Sequence, residues 1–339
     1  SDLLILFVGL EIMSLPLYLL AGMARRRRLL SQEAAMKYFL LGAFSSGFFL
    51  YGAAMLYGFA GTVDLGGIAD AVNANAGQNG LLIAGMALIS VGLFFKVAAV
   101  PFHQWAPDVY QGSPTSITSF MAACVKLAAF GAMLRIMYVA LGGLRWDWRP
   151  MFWVIAILTM FVGVIIALTQ TDVKRMLAYS SIAHAGFLLI AVIATNEQGI
   201  GGAMFYLLAY GVATIGAFGV VSLVRDSTGE ATHLSSWAGL GKRSPWVAGA
   251  FTIFLLSFAG IPLTAGFIGK FAVFEAGVAG GAGWLVVVAV IASAIAVFFY
   301  GRVIVIMFFT EPQADGPTVV IPSSFTAIAI AAGLALTIV

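Results

Sequence analysis

Apolar runs of about twenty residues recur from one end of the chain to the other, separated by short polar or glycine-rich breaks. A run of about twenty apolar residues is long enough to cross a hydrocarbon core of about 30 Å as an α-helix. The chain is 62% hydrophobic and only 9% charged, whereas about a quarter of the residues in soluble domains are charged. The sequence therefore predicts an all-α membrane protein with about ten transmembrane helices.

The positions of the spans follow from the apolar runs and the breaks between them. In chain order they are predicted near residues 2–22, 36–58, 81–101, 115–141, 152–170, 176–194, 202–224, 247–276, 283–309 and 321–339. The runs at 115–141 and 247–276 are longer than one straight crossing requires, so we expect these two to be tilted or broken.

The basic residues of the predicted loops lie mostly on one side of the membrane. One alternating set of loops contains Arg25, Arg26, Arg27, Arg28, Lys174, Arg175, Arg225, Lys242 and Arg243. The opposite set contains only Arg145 and Arg149. Because cytoplasmic loops are enriched in lysine and arginine, this pattern predicts that Ser1 lies on the outer side. It offers no basic surface for a nucleic acid, so no nucleic-acid partner is expected.

A weak internal repeat runs through the chain. The features that recur at similar separation are Ala35-Met36 with Ala203-Met204, Glu11 with His184, and Lys96 with Lys270. An odd number of predicted spans lies within that separation, so the second copy is inverted relative to the first, as in many ion transporters. We therefore predict a first repeat at residues 1–150, and a second, inverted repeat with a C-terminal helix at residues 151–339.

Three lysines lie well inside apolar runs, at Lys96, Lys126 and Lys270. A charged lysine at the bilayer centre costs about 2.5–3.5 kcal/mol on insertion scales, so each of them needs a physical reason. A buried lysine can gain and lose its proton, which makes these residues candidates for a proton relay. The alternative is an ion pair that only holds helices together. Glu11 is the only carboxylate near the middle of a span, so it can pair with at most one lysine.

Prolines close to two of these lysines predict breaks in the helices. Pro101 follows Lys96, and Pro262 precedes Lys270 within GIPLTAG. Proline removes a helical hydrogen bond and frees carbonyl groups inside the membrane, where protein or water must satisfy them. We therefore expect two broken helices that line a hydrated path, with a simple packing kink as the alternative.

Histidine and cysteine usage limits the chemistry further. His103 and His184 are candidates for passing protons near neutral pH, because an imidazole titrates at about 6.5. His184 lies deep in a predicted span, whereas His103 lies near a span end, where a structural role is an alternative. Two histidines without further ligands predict no metal site. Since Cys124 is the only cysteine, neither a disulfide framework nor an iron–sulfur site is expected.

Five segments carry a family resemblance. The longest is VGLFFKVAAVPFHQWAPDVYQGSPTSITSFMAACVKLAAF at 91–130, and the others are GLEIMSLPLYLLAG at 9–22, KYFLLGAFSSGFFLYG at 37–52, TDVKRMLAYSSIAHAGFLL at 171–189 and LLSFAGIPLTAGFIGKF at 255–271. Over essentially its whole length the chain resembles the subunit N (subunit 2) family of respiratory complex I, the proton-translocating NADH:quinone oxidoreductase. These are antiporter-like membrane subunits built as inverted-repeat bundles.

The resemblance implies what the spans and their charges are. Bacterial members have fourteen spans, so the spans here would be the fifth to the fourteenth, with four N-terminal helices lacking. The family's glutamate in the fifth span and its lysines in the seventh, eighth and twelfth form a chain of charges, which falls on Glu11, Lys96, Lys126 and Lys270. The seventh and twelfth spans are the broken ones in that family.

The resemblance also implies that this chain conducts protons in an energy-transducing membrane, most simply a bacterial plasma membrane. Its partners would be the other membrane subunits of complex I and the lipid bilayer. No cofactor is expected on this chain, because NADH, FMN, iron–sulfur clusters and quinone are used by other subunits. One alternative is a subunit of a related cation/proton antiporter, which PDVYQGSP at 107–114 disfavours. Another is an assembly subunit whose charges only hold helices together.

Overall fold

The computed structural model describes residues 2–24, 28–74, 80–226, 229–312 and 316–338, and these ranges are mostly helical. Arg25, Arg26 and Arg27, which contributed to the predicted orientation, lie outside the described residues, as does the side chain of Arg28. The orientation itself stays a prediction.

The described helices are named in chain order. They are α1 (Leu3–Ala21), α2 (Arg28–Ala60), α3 (Leu65–Ala74), α4 (Gly80–Val97), α5 (Trp105–Gly112), α6 (Thr115–Phe120), α7 (Lys126–Arg135), α8 (Arg145–Thr169), α9 (Val173–Ala194), α10 (Glu197–Leu223), α11 (Leu240–Arg243), α12 (Pro245–Ala259), α13 (Ala265–Ala279), α14 (Gly283–Phe309) and α15 (Ser324–Thr337). Short 3-10 helices lie at Gly142–Leu144 and Leu234–Trp237.

The membrane-spanning character predicted from composition is confirmed. Within the described ranges, 8 helices are long and apolar enough to cross a membrane, and α12 and α15 are shorter apolar helices. Each of the predicted runs overlaps one of these helices. The chain is therefore a multi-pass, all-α membrane protein. The boundary of α2 differs most clearly from the prediction, because this helix begins at Arg28 rather than near residue 36.

Both predicted helix breaks are present. The first separates α4 from α5, and Ala98 within it has a positive φ of 58°. The second separates α12 from α13, with Gly260 at φ +79° and Leu263 at φ 71°. Thr264 caps the start of α13 by accepting a hydrogen bond from the backbone N–H of Phe267. At each break one helix therefore ends and the next begins within the bundle.

The long run at 115–141, which was predicted to be tilted or broken, is not broken. It is one continuous helical segment in which a π-helical turn at Met121–Val125 joins α6 to α7 and a second at Ile136–Ala140 follows α7. A π-turn inserts an extra residue into the helix, so the side chains on either side of it are re-aimed without breaking the backbone.

A small sheet outside the spans was not predicted. Strands β1 (Val224–Asp226), β2 (Gly229–Glu230) and β3 (Thr318–Val319) form an antiparallel sheet in the order β2-β1-β3. Arg225 pairs with Glu230 on one side and with Thr318 on the other. This sheet ties the segment after α10 to the segment before α15. The predicted boundary between repeats, at 150, falls inside α8, and the two-repeat division stays a prediction.

Helix α9 lies at the centre of the bundle and packs against α5, α8, α10 and α13. All but one of its residues are buried. Its closest approach to α8 depends on glycine: a Cβ on Gly163 would lie 2.6 Å from the backbone nitrogen of Ala183, and one on Gly186 would lie 2.9 Å from that of Met160. Small residues of this kind let membrane helices approach closely, where packing contacts replace the hydrophobic effect.

We expect Gly163→Ala to destabilise the protein by roughly 1–3 kcal/mol, because the added methyl group forces the two backbones apart. The measurement is the apparent Tm of the purified protein in detergent. Gly201→Ala is the matched control, since a Cβ at Gly201 in α10 meets nothing within 4 Å. An equal Tm for the two variants would show that the α8–α9 contact is not this tight.

Candidate proton path

Lys96 lies in the last turn of α4, beside the first break, and is 6% exposed. Its Nζ is 3.5 Å from Oε1 of Glu11 and donates a hydrogen bond of 2.7 Å to Oγ of Ser14. Ser46 of α2 donates to the same carboxylate oxygen at 2.5 Å. The predicted proximity of Glu11 and Lys96 is therefore present, and the two serines orient the pair.

A small cavity adjoins this ion pair. Its volume is about 10 Å³, and it is lined by Phe7, Leu10, Glu11, Ser45, Ser46, Phe49, Gly92 and Lys96. A polar cavity near this size is at the lower limit for holding one water molecule. Gly92 lets Phe49 pack close to α4 beside this cavity, because a Cβ at Gly92 would lie 2.7 Å from the Cβ of Phe49.

Lys126 follows directly after the π-turn at Met121–Val125 and is 3% exposed. Its Nζ donates to both the carbonyl oxygen and the Oγ of Ser181, each at 2.5 Å. It also lies 5.3 Å from the ring centroid of Tyr210. In the part of the chain that the structure describes, no carboxylate pairs with this lysine. Its partners are instead the neutral oxygen atoms of Ser181 and the aromatic ring of Tyr210.

Lys270 lies in α13 and is 4% exposed. Its Nζ donates to the carbonyl oxygens of Phe258 and Ala259, at 2.8 and 3.0 Å, and to Oγ of Ser293, at 2.9 Å. The two carbonyls are the last of α12, which the break leaves without helical partners and which carry the negative end of the helix dipole. The second break thus supplies the acceptors of its lysine.

Gly260 makes this arrangement possible. Its φ of +79° turns the chain away from α12, and a Cβ there would lie 2.9 Å from Cδ of Lys270. A side chain would therefore meet both a strained backbone and the lysine. The ring of Phe187 covers the other approach, with its centroid 4.9 Å from Nζ.

His184 lies in the middle of α9 and is 2% exposed. Its Nδ1 is 2.5 Å from the hydroxyl of Tyr206, and its Nε2 is 3.3 Å from the hydroxyl of Tyr300. Tyr300 in turn shares a short hydrogen bond with Ser180. Both ring nitrogens therefore face hydroxyl groups, each of which can donate or accept a proton.

Helix α9 spaces the central groups at regular intervals. Ser181 contacts Lys126, His184 follows one turn later, and Phe187, which covers Lys270, follows after another turn. Three residues of an α-helix rise by about 4.5 Å. The histidine is thus the intermediate position between the two lysines along α9.

His103 does not join this row. It lies in the first break, partly exposed, and its Nδ1 is buried without a hydrogen-bond partner among the described residues. Its backbone carbonyl accepts from the N–H of Ala106 at the start of α5. The structure therefore gives His103 a place at the break but no contact with Lys96 or Lys126.

A second polar cluster was missed by sequence reasoning. Asp108 of α5 accepts hydrogen bonds from Lys37 of α2 and from Arg175 of α9, both at 2.5 Å. Lys174 is 1% exposed and donates to the carbonyl of Ser113 at 2.6 Å. Lys174 and Arg175 were predicted to be loop charges, and this was wrong, because both lie in the first turn of α9.

The acid groups around Lys174 extend this cluster. Glu230 of β2 lies 3.4 Å from Nζ of Lys174, and Asp172 accepts from Thr232 at 2.6 Å and from Gln111 at 3.1 Å. The signal for the cluster was present as charged residues inside 107–114 and 171–175. Hydropathy assigns such residues to loops, because it takes no account of partners on other helices.

The bundle described above has a match among known families. The family model described as NADH:quinone oxidoreductase/Mrp antiporter, transmembrane, matches residues 1–296. The chain belongs to this family. The buried lysines Lys96, Lys126 and Lys270, with Glu11 and His184, all lie within the matched part of this family member.

Among curated relatives, the NADH-quinone oxidoreductase subunit N of Rhodococcus opacus (strain B4) is 67% identical over 339 residues, which is 100% of this chain and 63% of that protein. The present chain thus spans less than two thirds of the length of that relative. Subunit N 3 of Streptomyces griseus is 62% identical over 350 aligned residues, with 63% of that protein covered. The curated relatives are bacterial, which indicates a plasma membrane location.

A solved structure also resembles the chain closely. A chain of respiratory complex I from Thermus thermophilus with bound aureothin is 40% identical, with a TM-score of 0.85 over 99% of this chain and 72% of that chain. A chain of the Mrp complex from Dietzia sp. DQ12-45-1b has a TM-score of 0.86 at 24% identity, over 99% of this chain and 70% of that one. The second likeness concerns the fold alone.

Proposed function

We propose that the chain is the proton-conducting part of a subunit N of an NADH:quinone oxidoreductase. The observation that carries this proposal is the row of buried lysines, Lys96, Lys126 and Lys270, of which only Lys96 has a carboxylate partner in the part of the chain described. The identity of 67% with a relative named NADH-quinone oxidoreductase subunit N supports it. Ionisable residues inside a membrane protein that pair with one another or with backbone carbonyls mark ion pathways.

The pair of Glu11 and Lys96 forms the first station of the path. The carboxylate stabilises the ammonium form of Lys96, and the cavity beside the pair admits about one water molecule. When Glu11 takes up a proton, that stabilisation is lost and Lys96 is free to pass its own proton onward. The first break, directly after Lys96, gives the side chain room to change partners.

Lys126, His184 and Lys270 form the remaining stations. Ser181 accepts from Lys126, and the imidazole of His184 lies between hydroxyl groups, so hydrogen bonds can be exchanged without opening the bundle. Three acceptors around Lys270 match the three N–H bonds of an ammonium group, and a neutral amine still donates to two of them. Both protonation states of Lys270 are therefore hydrogen-bonded.

In this proposal the redox chemistry takes place on other subunits of the complex. NADH, FMN, iron–sulfur clusters and quinone would be used by other subunits, and this chain would hold no cofactor of its own. Its partners would be the other membrane subunits of the complex. A cation/proton antiporter subunit is disfavoured, because the Mrp likeness is one of fold, whereas the complex I likeness extends to 40% sequence identity.

The test of the entry step is Glu11→Gln in the full-length subunit of the assembled complex. We expect proton pumping to fall by about tenfold or more, because glutamine cannot alternate between a charged and a neutral form beside Lys96. The measurement is pH-gradient formation in vesicles at equal rates of NADH oxidation and equal subunit content.

Glu311→Gln is the matched control for this experiment. Glu311 is 86% exposed and pairs with Lys242 at the surface, so its substitution removes the same charge away from the path. We expect its pumping to equal that of the parent. Unimpaired pumping by an assembled Glu11→Gln complex would refute the role of Glu11.

A further inference from the structure

Arg145 and Arg149 break the charge pattern of the chain, as they are the basic residues assigned to the predicted outer loops. The structure places both in the first turns of α8, around the indole of Trp146. Their guanidinium carbons lie 5.4 and 5.7 Å from its ring centroid. In the part of the chain that the structure describes, neither guanidinium pairs with a carboxylate.

The guanidinium of Arg149 donates one hydrogen bond, but not all of its donors have an acceptor. Its Nη2 donates a hydrogen bond of 2.7 Å to the carbonyl of Gly280, in the turn between α13 and α14. Its Nε is buried and has no hydrogen-bond partner among the described residues. A buried donor without an acceptor costs free energy, so the described residues do not satisfy all the donors of this guanidinium.

A cavity of about 560 Å³ adjoins the guanidinium of Arg149. It is lined by Trp146, Arg149, Pro150, Trp153, Gly280 and Gly281. One wall is therefore a cationic group, and the others are aromatic and aliphatic. Such a lining suits a molecule that combines an anionic group with apolar chains.

Two glycines, Gly280 and Gly281, form the wall of the cavity on the side of the turn. A Cβ on Gly280 would lie 2.4 Å from the carbonyl oxygen of Ala194, so the turn packs directly against the end of α9. Gly281 has a φ of +77°, which disfavours any residue with a side chain. No side chain from this turn fills the space.

Exposed tryptophans indicate that the cavity lies at the level of the lipid headgroups. Trp146 and Trp284 are 70% and 80% exposed at this end of the helices, and exposed tryptophans mark membrane interfaces. The positive end of the α8 dipole points to the same place. Basic pockets between transmembrane helices bind anionic headgroups on the cytoplasmic side of membranes, and the same attraction between guanidinium and phosphate operates on the predicted outer side.

We propose that this cavity binds an anionic phospholipid, with Arg149 and Arg145 holding its phosphate and Trp146 and Trp153 contacting its glycerol and acyl chains. A guanidinium presents a fork of N–H donors that matches two oxygens of one phosphate. The occupant is a lipid rather than a free anion, because most of the cavity wall is apolar. This site lies apart from the lysine row and does not depend on proton conduction.

The test uses the full-length subunit in its assembled complex, purified with bound lipid and returned to nanodiscs of phosphatidylglycerol and phosphatidylcholine. The variant is Arg145→Gln/Arg149→Gln. Bound phosphatidylglycerol is counted by native mass spectrometry after a detergent wash. We expect the affinity for the retained lipid to fall by about tenfold or more, as for lost hydrogen bonds to a charged group.

The matched control is Arg225→Gln/Lys242→Gln, which removes two exposed basic groups away from the cavity. We expect it to retain the lipid as the parent does. Equal loss in both double variants, or equal retention, would overturn the proposal. So would loss of a neighbouring subunit without loss of lipid, which would make this a protein interface, or displacement of the lipid by inorganic phosphate, which would make it a simple anion site.

A second measurement needs no variant and so does not depend on folding of the substituted protein. A photoactivatable phosphatidylglycerol is added to the unmodified complex, and the crosslinked peptides are identified. We expect crosslinks at residues 146–153, with phosphatidylcholine of the same design as the comparison. Crosslinks at this segment that are equal for the two lipids, or absent for both, would contradict anionic-lipid selectivity.

Discussion

Replacing Lys270 with arginine is expected to preserve assembly but to lower proton transfer by about tenfold or more, because a guanidinium does not release its proton in proteins. Lys270→His is expected to retain more transfer, since an imidazole can both bind and release a proton. The carbonyls of Phe258 and Ala259 can accept hydrogen bonds from either replacement. The measurement is pH-gradient formation in vesicles that carry each variant at equal subunit content.

The order of the two variants is what distinguishes a proton carrier from a helix clamp. If Lys270 only joins the end of α12 to α13, arginine preserves the positive charge and histidine weakens the contact, so arginine would be the better replacement. If Lys270 carries protons, histidine is the better one. Lys242→Arg is the control, because Lys242 is an exposed surface lysine paired with Glu311. Pumping by Lys270→Arg at the parental rate would rule out proton release from Lys270.

Membrane potential gives a second readout for the same residue. Moving a unit charge through the full field changes its energy by about 2.3 kcal/mol per 100 mV. A lysine that exchanges its proton within the membrane experiences part of this field. Proton transfer in the parent is therefore expected to depend on the imposed potential, and the residual transfer of Lys270→Arg is expected to lose that dependence.

Lys126→Ala is expected to stop most proton transfer between the Glu11–Lys96 pair and Lys270 while leaving the subunit assembled. Lys126 is the central lysine of the row, and its contacts are with Ser181 and the ring of Tyr210. Alanine removes the proton-binding group and leaves space that water can enter. The expected loss of pumping is about tenfold or more, by the usual size of a general acid–base contribution. It is measured as for Lys270.

Lys126→Gln separates the chemical role of Lys126 from its structural one. A glutamine amide can still donate to the carbonyl and hydroxyl oxygens of Ser181 but cannot carry a proton. We expect Gln to restore thermal stability relative to Ala without restoring pumping. Recovery of pumping with Gln would show that Lys126 only holds α7 against α9, as an assembly subunit requires.

The order of stations along α9 gives these two predictions a common basis. Ser181, His184 and Phe187 lie on successive turns of this buried helix and contact or adjoin Lys126, the two tyrosine hydroxyls and Lys270 in that order. A change in the rotation of α9 would therefore affect all three stations at once. The tight packing at Gly163 and Gly186 fixes that rotation against α8.

The sequence by itself determined the spans and the two breaks. Hydropathy identifies spans because water and lipid select residues by transfer free energy, which is a property of each residue. Pro101 and Pro262 predict breaks because a proline removes a helical hydrogen bond wherever it lies. Glu11 was linked to Lys96 because it is the only carboxylate near the middle of a span and because the family resemblance places the two together.

Only the tertiary structure decided which atoms each charge meets. The acceptors of Lys270 are freed carbonyls of α12, and Asp108 joins Lys37 to Arg175 across three helices. Such partners depend on helix rotation and crossing, which a linear hydropathy pattern does not contain. Lys174 and Arg175 show the consequence. From the sequence alone they are predicted to be loop charges, whereas in the fold Lys174 is buried and each of the two lies beside a carboxylate. The free-energy cost of burying a charge is offset by partners that are distant in sequence.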